Sequence, residues 1–322
     1  MKNLRKLFLP VAFFSLLCTA HSQTVNGDYK IVDEYVKSLG SLDSLNTGTI
    51  SSIVTKKFAS NIDKTRAIFD WIAYNISFDF KGAKNNGNEK MTSDGVLKTR
   101  KANANGYATL FQDMCSVAKI RCLTVDGFVK SDIEQLNEKP DEFNHTWVVV
   151  QLGQSPDSWH YVDPAWGSGY VDEKVTKFTR SFNDNFFFAD KMIFNYQHFP
   201  DNTAWLLGTG TKSVNDFFSM PIVKDYAYDF RISNFNPGGG IIKSAVQKPV
   251  HFSFKVNNSN APIDSVALLI GTEKKKKLKT VYYSYNNSVV SFTYKFEEED
   301  SYPVTILVNN KPVLEYFVEV TE

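Results

Sequence analysis

The sequence is poor in cysteine, with three among 322 residues, at positions 18, 115 and 122. That excludes a disulfide-stapled scaffold, and no Cys/His cluster has the spacing of a structural zinc site. Excess charge of either sign is also missing, since 36 Lys and Arg stand against 35 Asp and Glu. Neither half is basic. The one basic run, 274–277, is short and reads as a solvated loop or strand edge, so nucleic acid is not an expected partner. Beyond residue 22 no apolar stretch is long enough to span a bilayer. There is no phosphate-cradling Gly loop and no internal repeat. No cofactor and no metal ion is expected.

Aromatic residues, by contrast, make up 14% of the chain, enough to furnish large cores. The length suits two domains. Lys2, Arg5 and Lys6 precede an apolar run, 7–17, and Ala20-His21-Ser22 supplies small residues before Gln23. This is the pattern of a secretory signal peptide over 1–22, cleaved before Gln23, and it implies a secreted or periplasmic protein. Cys18 follows Leu17, where a lipidation signal wants a small residue. The export route is oxidising, so a Cys115–Cys122 disulfide is conceivable, but the amphipathic pattern places both on buried faces and favours two core thiols.

Two domains follow, over 23–230 and 231–322. In the first, helices are expected at 29–39 and 61–77, the latter capped by Ser60, Asn61 or Asp63. A Ser/Thr/Asn-rich loop separates them, and residues 81–90 read as an exposed loop. A helical turn at 92–97 leads into the central stretch, 98–120. A strand at 123–130, a charged loop, and two strands at 145–152 and 159–163 come next. Residues 178–207 are strongly aromatic and read as core. Residues 233–248, with Pro237 and three glycines, read as a linker. From 251 onward the pattern has period two, with Asn pairs between short strands, which indicates an immunoglobulin-like β-sandwich.

The central stretch organises the first domain. Tyr107, Leu110, Phe111, Met114, Val117 and Ala118 recur at helical steps. Ala102-Asn103-Ala104-Asn105-Gly106 is turn-prone, so Ala104 falls where a loop enters a buried helix. Unpaired N–H groups and the positive end of the helix dipole meet there, a setting that acidifies a cysteine. The residue present is alanine. In the strand pair 145–152 and 159–163, a turn centred on Gln154 places His145 opposite Asp163 and Trp147 opposite Tyr161. A carboxylate beside an imidazole on one sheet face is what a Cys–His–Asp site requires.

The runs around these residues resemble the transglutaminase-like superfamily, in particular its kyphoscoliosis-peptidase branch. That branch reads Gly-Val-Cys-x-Gly-Tyr-Ala where this chain reads Ala102-Asn103-Ala104-Asn105-Gly106-Tyr107-Ala108, so the family's nucleophile falls on Ala104. HTWVVV from His145 and YVDPAW from Tyr161 match its histidine and aspartate strands. KTRAIFDWIAYNISFD and HFPDNTAWLL resemble flanking segments, so the likeness covers 61–221 in pieces. The resemblance implies an α+β, papain/transglutaminase-like core, a helix bundle packed on an antiparallel sheet. It also implies His145 as base, Asp163 as its orienter, and Trp147, Trp166 and Asn105 as substrate contacts. With Ala104 in the nucleophile place, it implies a pseudoenzyme with a peptide, wall fragment or protein partner in the cleft. An active cysteine-peptidase-class enzyme (if Ala104 replaces a cysteine by engineering), a His/Asp-assisted hydrolase, and a structural or adhesion module are the alternatives. Asn144-His145-Thr146 would be a glycosylation acceptor in a eukaryote, which favours a bacterial source.

Overall fold

The structure is a computed structural model that describes residues 28–82, 89–172, 176–272 and 275–322. The expected signal peptide, the middle of the 81–90 loop and Lys274 lie outside them. Three helices open the described residues: α1 (Lys30–Ser38), α2 (Thr47–Thr55) and α3 (Asn61–Asn75). α3 starts where its Ser60 cap accepts from the Asp63 N–H at 3.0 Å. α2 corrects the loop expected there. Ser, Thr and Gly give it poor helix propensity, but Asn46 caps it, Ile50 and Val54 are fully buried, and Ser51 Oγ donates to the Met114 carbonyl. Tertiary packing overrides the local preference.

The helix Ser93–Thr99, capped by Thr92, ends at Arg100 in a left-handed conformation. Strand β1 (Ser77–Phe78) pairs in parallel with β2 (Lys101–Ala102), and the central helix, Ala104–Val117, begins two residues later. It packs against a four-stranded antiparallel sheet of order β5-β4-β3-β8, made of β3 (Arg121–Val129), β4 (His145–Gln151), β5 (Trp159–Val162) and β8 (His198–Pro200). A two-stranded ribbon, β6 (Gly169–Val171) with β7 (Phe178–Arg180), lies between β5 and β8 in sequence. Both sheet faces are buried. Val148, Val150 and Val162 face the helices, while Val125, Trp147, Val149 and Tyr161 join a second core that runs into the C-terminal strands. The aromatic segment behaves as expected, with Phe186, Phe187, Phe188, Phe194 and Phe199 buried.

The β4–β5 register differs from expectation. Val148 pairs with Val162 and Val149 with Tyr161, so the hairpin centres on Ser155, not Gln154. The cause is a 3₁₀ turn, Pro156–Ser158, started by the Ser155 side chain. The slip moves the partner by two residues, which preserves the face. His145 and Asp163 are therefore diagonal neighbours on one side rather than directly opposed.

Gly127 of β3 pairs with His145 on one side and Pro200 on the other. A Cβ there would meet the Phe199 carbonyl oxygen, Trp147 Cη2 at 2.6 Å and Pro200 Cα at 2.9 Å. Two of these are backbone atoms that cannot swing away. Gly127→Ala is expected to cost about 3 kcal/mol in denaturant unfolding; a loss under about 1 kcal/mol would mean that β8 can shift freely.

The C-terminal region is a β-sandwich. One sheet has the order β10-β12-β16-β15: β10 (Ile232–Asn236), β12 (Pro249–Val256), β16 (Val289–Lys295) and β15 (Ser284–Asn286). The other has the order β11-β18-β17-β13-β14: β11 (Ile241–Ala245), β18 (Lys311–Thr321), β17 (Asp300–Val308), β13 (Val266–Ile270) and β14 (Lys277–Thr280). β9 (Ile222–Val223) adds to β18. Phe252 of the first sheet stacks on its neighbour Phe292 and meets Tyr316 of the second in the shared core. The expected linker is not a linker. Its residues form β10 and β11, one in each sheet, and the Gly-rich turn between them carries the chain from one sheet to the other.

Candidate active site

Asp163 follows directly after β5 and has no solvent exposure. Its Oδ1 accepts from the backbone N–H groups of Ala165 at 2.9 Å and Trp166 at 3.0 Å. Its Oδ2 meets His145 Nε2 at 2.6 Å and His198 Nε2 at 3.1 Å. Burial alone would raise the Asp163 pKa. The two imidazoles more than offset it and hold the carboxyl below the usual carboxylate range. Burial pushes His198 down to about 4, against the pull of Asp163, so at neutral pH this ring is uncharged.

The sheet explains the convergence. His145 opens β4, His198 opens β8, and β3 runs between them with Gly127 in the row of His145. No side chain at 127 separates the rings, and the Trp147 indole fills that room. Its ring lies 6.4 Å from His145 and 5.2 Å from His198. Phe194 stacks on His198 at 3.8 Å, nearly parallel. Trp166 tilts against both imidazoles, at 5.7 Å and 4.7 Å. Aromatic walls of this kind fix ring orientation and keep water out.

Ala104 is the first residue of the central helix and is 3% exposed. Asn103 caps the helix, its Oδ1 accepting from the Gly106 N–H at 2.9 Å. Among the expected substrate contacts, Trp166 is half-buried and lines a cavity of about 720 Å³ together with Ala165, Phe78, Phe178, Tyr170 and Asp225. Trp147 has no exposure and supports the imidazoles from behind. Asn105 is buried, its Oδ1 accepting the Met91 N–H at 3.0 Å. Cys115 and Cys122 are buried free thiols, and burial pushes Cys115 well above the ordinary thiol pKa.

His198 was not foreseen from the sequence. It lies 35 residues beyond Asp163, and no local pattern ties the two. Gly127, an isolated glycine inside a strand, was the available signal of a close approach. Also unforeseen, the donor atoms of His145, Asp163 and His198 all lie within 4.8 Å of one another, close enough to hold a metal ion.

The family model of the transglutaminase-like superfamily matches residues 49–164, from α2 to just past Asp163. The chain carries a transglutaminase-like domain. The chain is 33% identical to mouse kyphoscoliosis peptidase over 208 residues, 62% of this chain and 31% of that protein. Human kyphoscoliosis peptidase is 32% identical over the same coverage. The chain thus spans about a third of the length of these curated relatives. A crystal structure of a TGase covers 52% of this chain and 39% of its own, at 16% identity and a TM-score of 0.29. The transglutaminase-like domain precedes the strand-rich C-terminal region, and no helix among the described residues is long and apolar enough to cross a membrane.

Proposed function

We propose that this protein is an exported transglutaminase-like pseudoenzyme whose cleft binds a peptide, wall fragment or protein partner without cutting it. The observation that carries the reading is an alanine at the head of the buried central helix of a domain whose His145–Asp163 pair is held at 2.6 Å. An enzyme of this class attacks a carbonyl with a thiolate, passes through a thioester, and transfers the acyl group to an amine or to water. A methyl group cannot make that attack. Losing the nucleophile of a triad costs on the order of 10⁶-fold in turnover. The cavity beside Trp166 supports retained binding, since it is large and aromatic and starts at the two residues that hold Asp163.

The purified chain, incubated with a glutamine-donor peptide and a labelled amine, should show neither transfer nor hydrolysis above buffer. Turnover that disappears in His145→Ala would overturn the reading in favour of a water-activating hydrolase. Labelled peptides retained by the parent and released by Trp166→Ala would separate a binding cleft from a purely structural module.

A further inference from the structure

We infer that His145, Asp163 and His198 form a binding site for one divalent cation of the zinc class. The inference stands apart from any peptide in the cleft and follows from how His198 is held. A neutral imidazole carries one N–H and one bare nitrogen, and each needs a partner when buried. His198 Nε2 faces Asp163 Oδ2 at 3.1 Å, while Nδ1 is buried beside the Phe194 backbone, short of a well-formed hydrogen bond. With the proton on Nε2, the bare Nδ1 faces the Phe194 carbonyl, acceptor against acceptor. With the proton on Nδ1, a lone pair on Nε2 points at a carboxylate oxygen. A cation between Nε2 and Oδ2 removes both conflicts. It also leaves Nδ1 free to donate to a backbone carbonyl, the usual second contact of a metal-bound histidine.

The three donor atoms lie within 4.8 Å of one another, so a cation would draw the two imidazoles together. Two imidazoles and one carboxylate, with a fourth place for water, are a common zinc donor set. Metal–ligand bonds of 2.0–2.1 Å at tetrahedral angles put donors roughly 3.3 Å apart. His198 and Asp163 already stand near that spacing. His145 Nε2, at 2.6 Å from Oδ2, must withdraw by about 0.7 Å. It belongs to the only one of the three residues with any exposure, 4% against 0% and 0%. Asp163 is anchored through its other oxygen by two N–H groups, and His198 by the Phe194 stack, so two of the three donors are preset. An occupied site would hold the His145 nitrogen that faces Asp163 and change its value as a base.

The test uses the full chain, freed of metal by a chelator and dialysed. Zinc titration by calorimetry, with the metal content of the dialysed complex measured, should give one ion per chain. His198→Asn and Asp163→Asn should each weaken it by more than about 100-fold, while His251→Asn, on the exposed face of the sandwich, should leave it unchanged. Cobalt(II) on the unaltered chain should give the intense visible bands of a four-coordinate ion, which needs no variant to fold. No one-to-one uptake, the weak spectrum of six-coordinate cobalt, uptake that survives His198→Asn, or equal loss with His251→Asn would each overturn the site. In those cases a shared proton, not a metal, joins His198 to Asp163.

Discussion

Ala104→Cys is expected to give the chain a reactive thiol and measurable acyl transfer. Position 104 is the first residue of a helix, where the dipole favours an anion. Asn103 is already committed to capping the Gly106 N–H, so it does not compete for a thiolate. His145 turns Nε2 to Asp163, which leaves Nδ1 as the ring nitrogen able to take a proton. The introduced thiol should titrate below the ordinary value near 8.5 and be alkylated by iodoacetamide below neutral pH. Background will be low, since Cys115 and Cys122 are 0% and 8% exposed. Turnover of a glutamine-donor peptide should rise by about 10⁴-fold or more over the parent, a part of what a missing nucleophile removes. His145→Ala in the same background should return both readouts to baseline. A folded variant with an ordinary, unreactive thiol would show that residue 104 does not face the imidazole.

That experiment rests on features that could be read from residue order, and others could not. Period-two alternation put His145 and Asp163 on one face, and the conclusion survived a wrong register because the slip was even. The slip itself came from a 3₁₀ turn in a loop whose composition permits several turn types. The central helix was legible because its apolar stripe and its turn-prone lead-in agree. α2 was not, because nothing in a Thr-Gly-Thr-Ile-Ser-Ser run announces a helix until Ser51 and Ile50 meet the central helix. The glycines of 238–240 hid two sandwich strands by suggesting a linker. His198 depends on two strands that come together only in the folded sheet. The site is thus partly local pattern and partly long-range assembly, and only the first part shows in one sequence.

Arg66→Met is expected to destabilise the protein by about 2–3 kcal/mol, below the cost of breaking a fully buried pair because Asp33 is partly and Asp184 largely exposed. Arg66 is 1% exposed. Its Nε and Nη2 donate to Asp33 at 2.9 and 3.1 Å, and its Nη1 donates to Asp184. Its guanidinium also lies against Tyr29, Phe182 and Phe187 at 4.8, 5.1 and 5.0 Å. It thereby ties α1 to α3 and to the segment whose Phe186 carbonyl accepts the Asp163 N–H at 2.9 Å. Burial alone would lower the Arg66 pKa, but the surrounding carboxylates outweigh it and keep the charge in place. Asp70 is the weak member. Its Oδ1 lies 3.0 Å from Arg66 Nε, yet that N–H points at Asp33, and the Asp33 carboxylate stands where a protonated Asp70 can donate to it. Burial pushes its pKa up to about 9, with Arg66 opposing. The folded state therefore holds a proton that the unfolded chain gives up near pH 4, and stability drains away as pH rises from there to about 9. Asp70→Asn keeps the shape of the protonated acid and removes the linkage. Its unfolding free energy should exceed the parent's by a margin that grows across that window, while Arg66→Met is destabilised throughout. Parallel curves for Asp70→Asn and parent would mean that Asp70 is ionised in the fold. In that case Arg66 would balance three carboxylates, and its removal would cost more than about 3 kcal/mol.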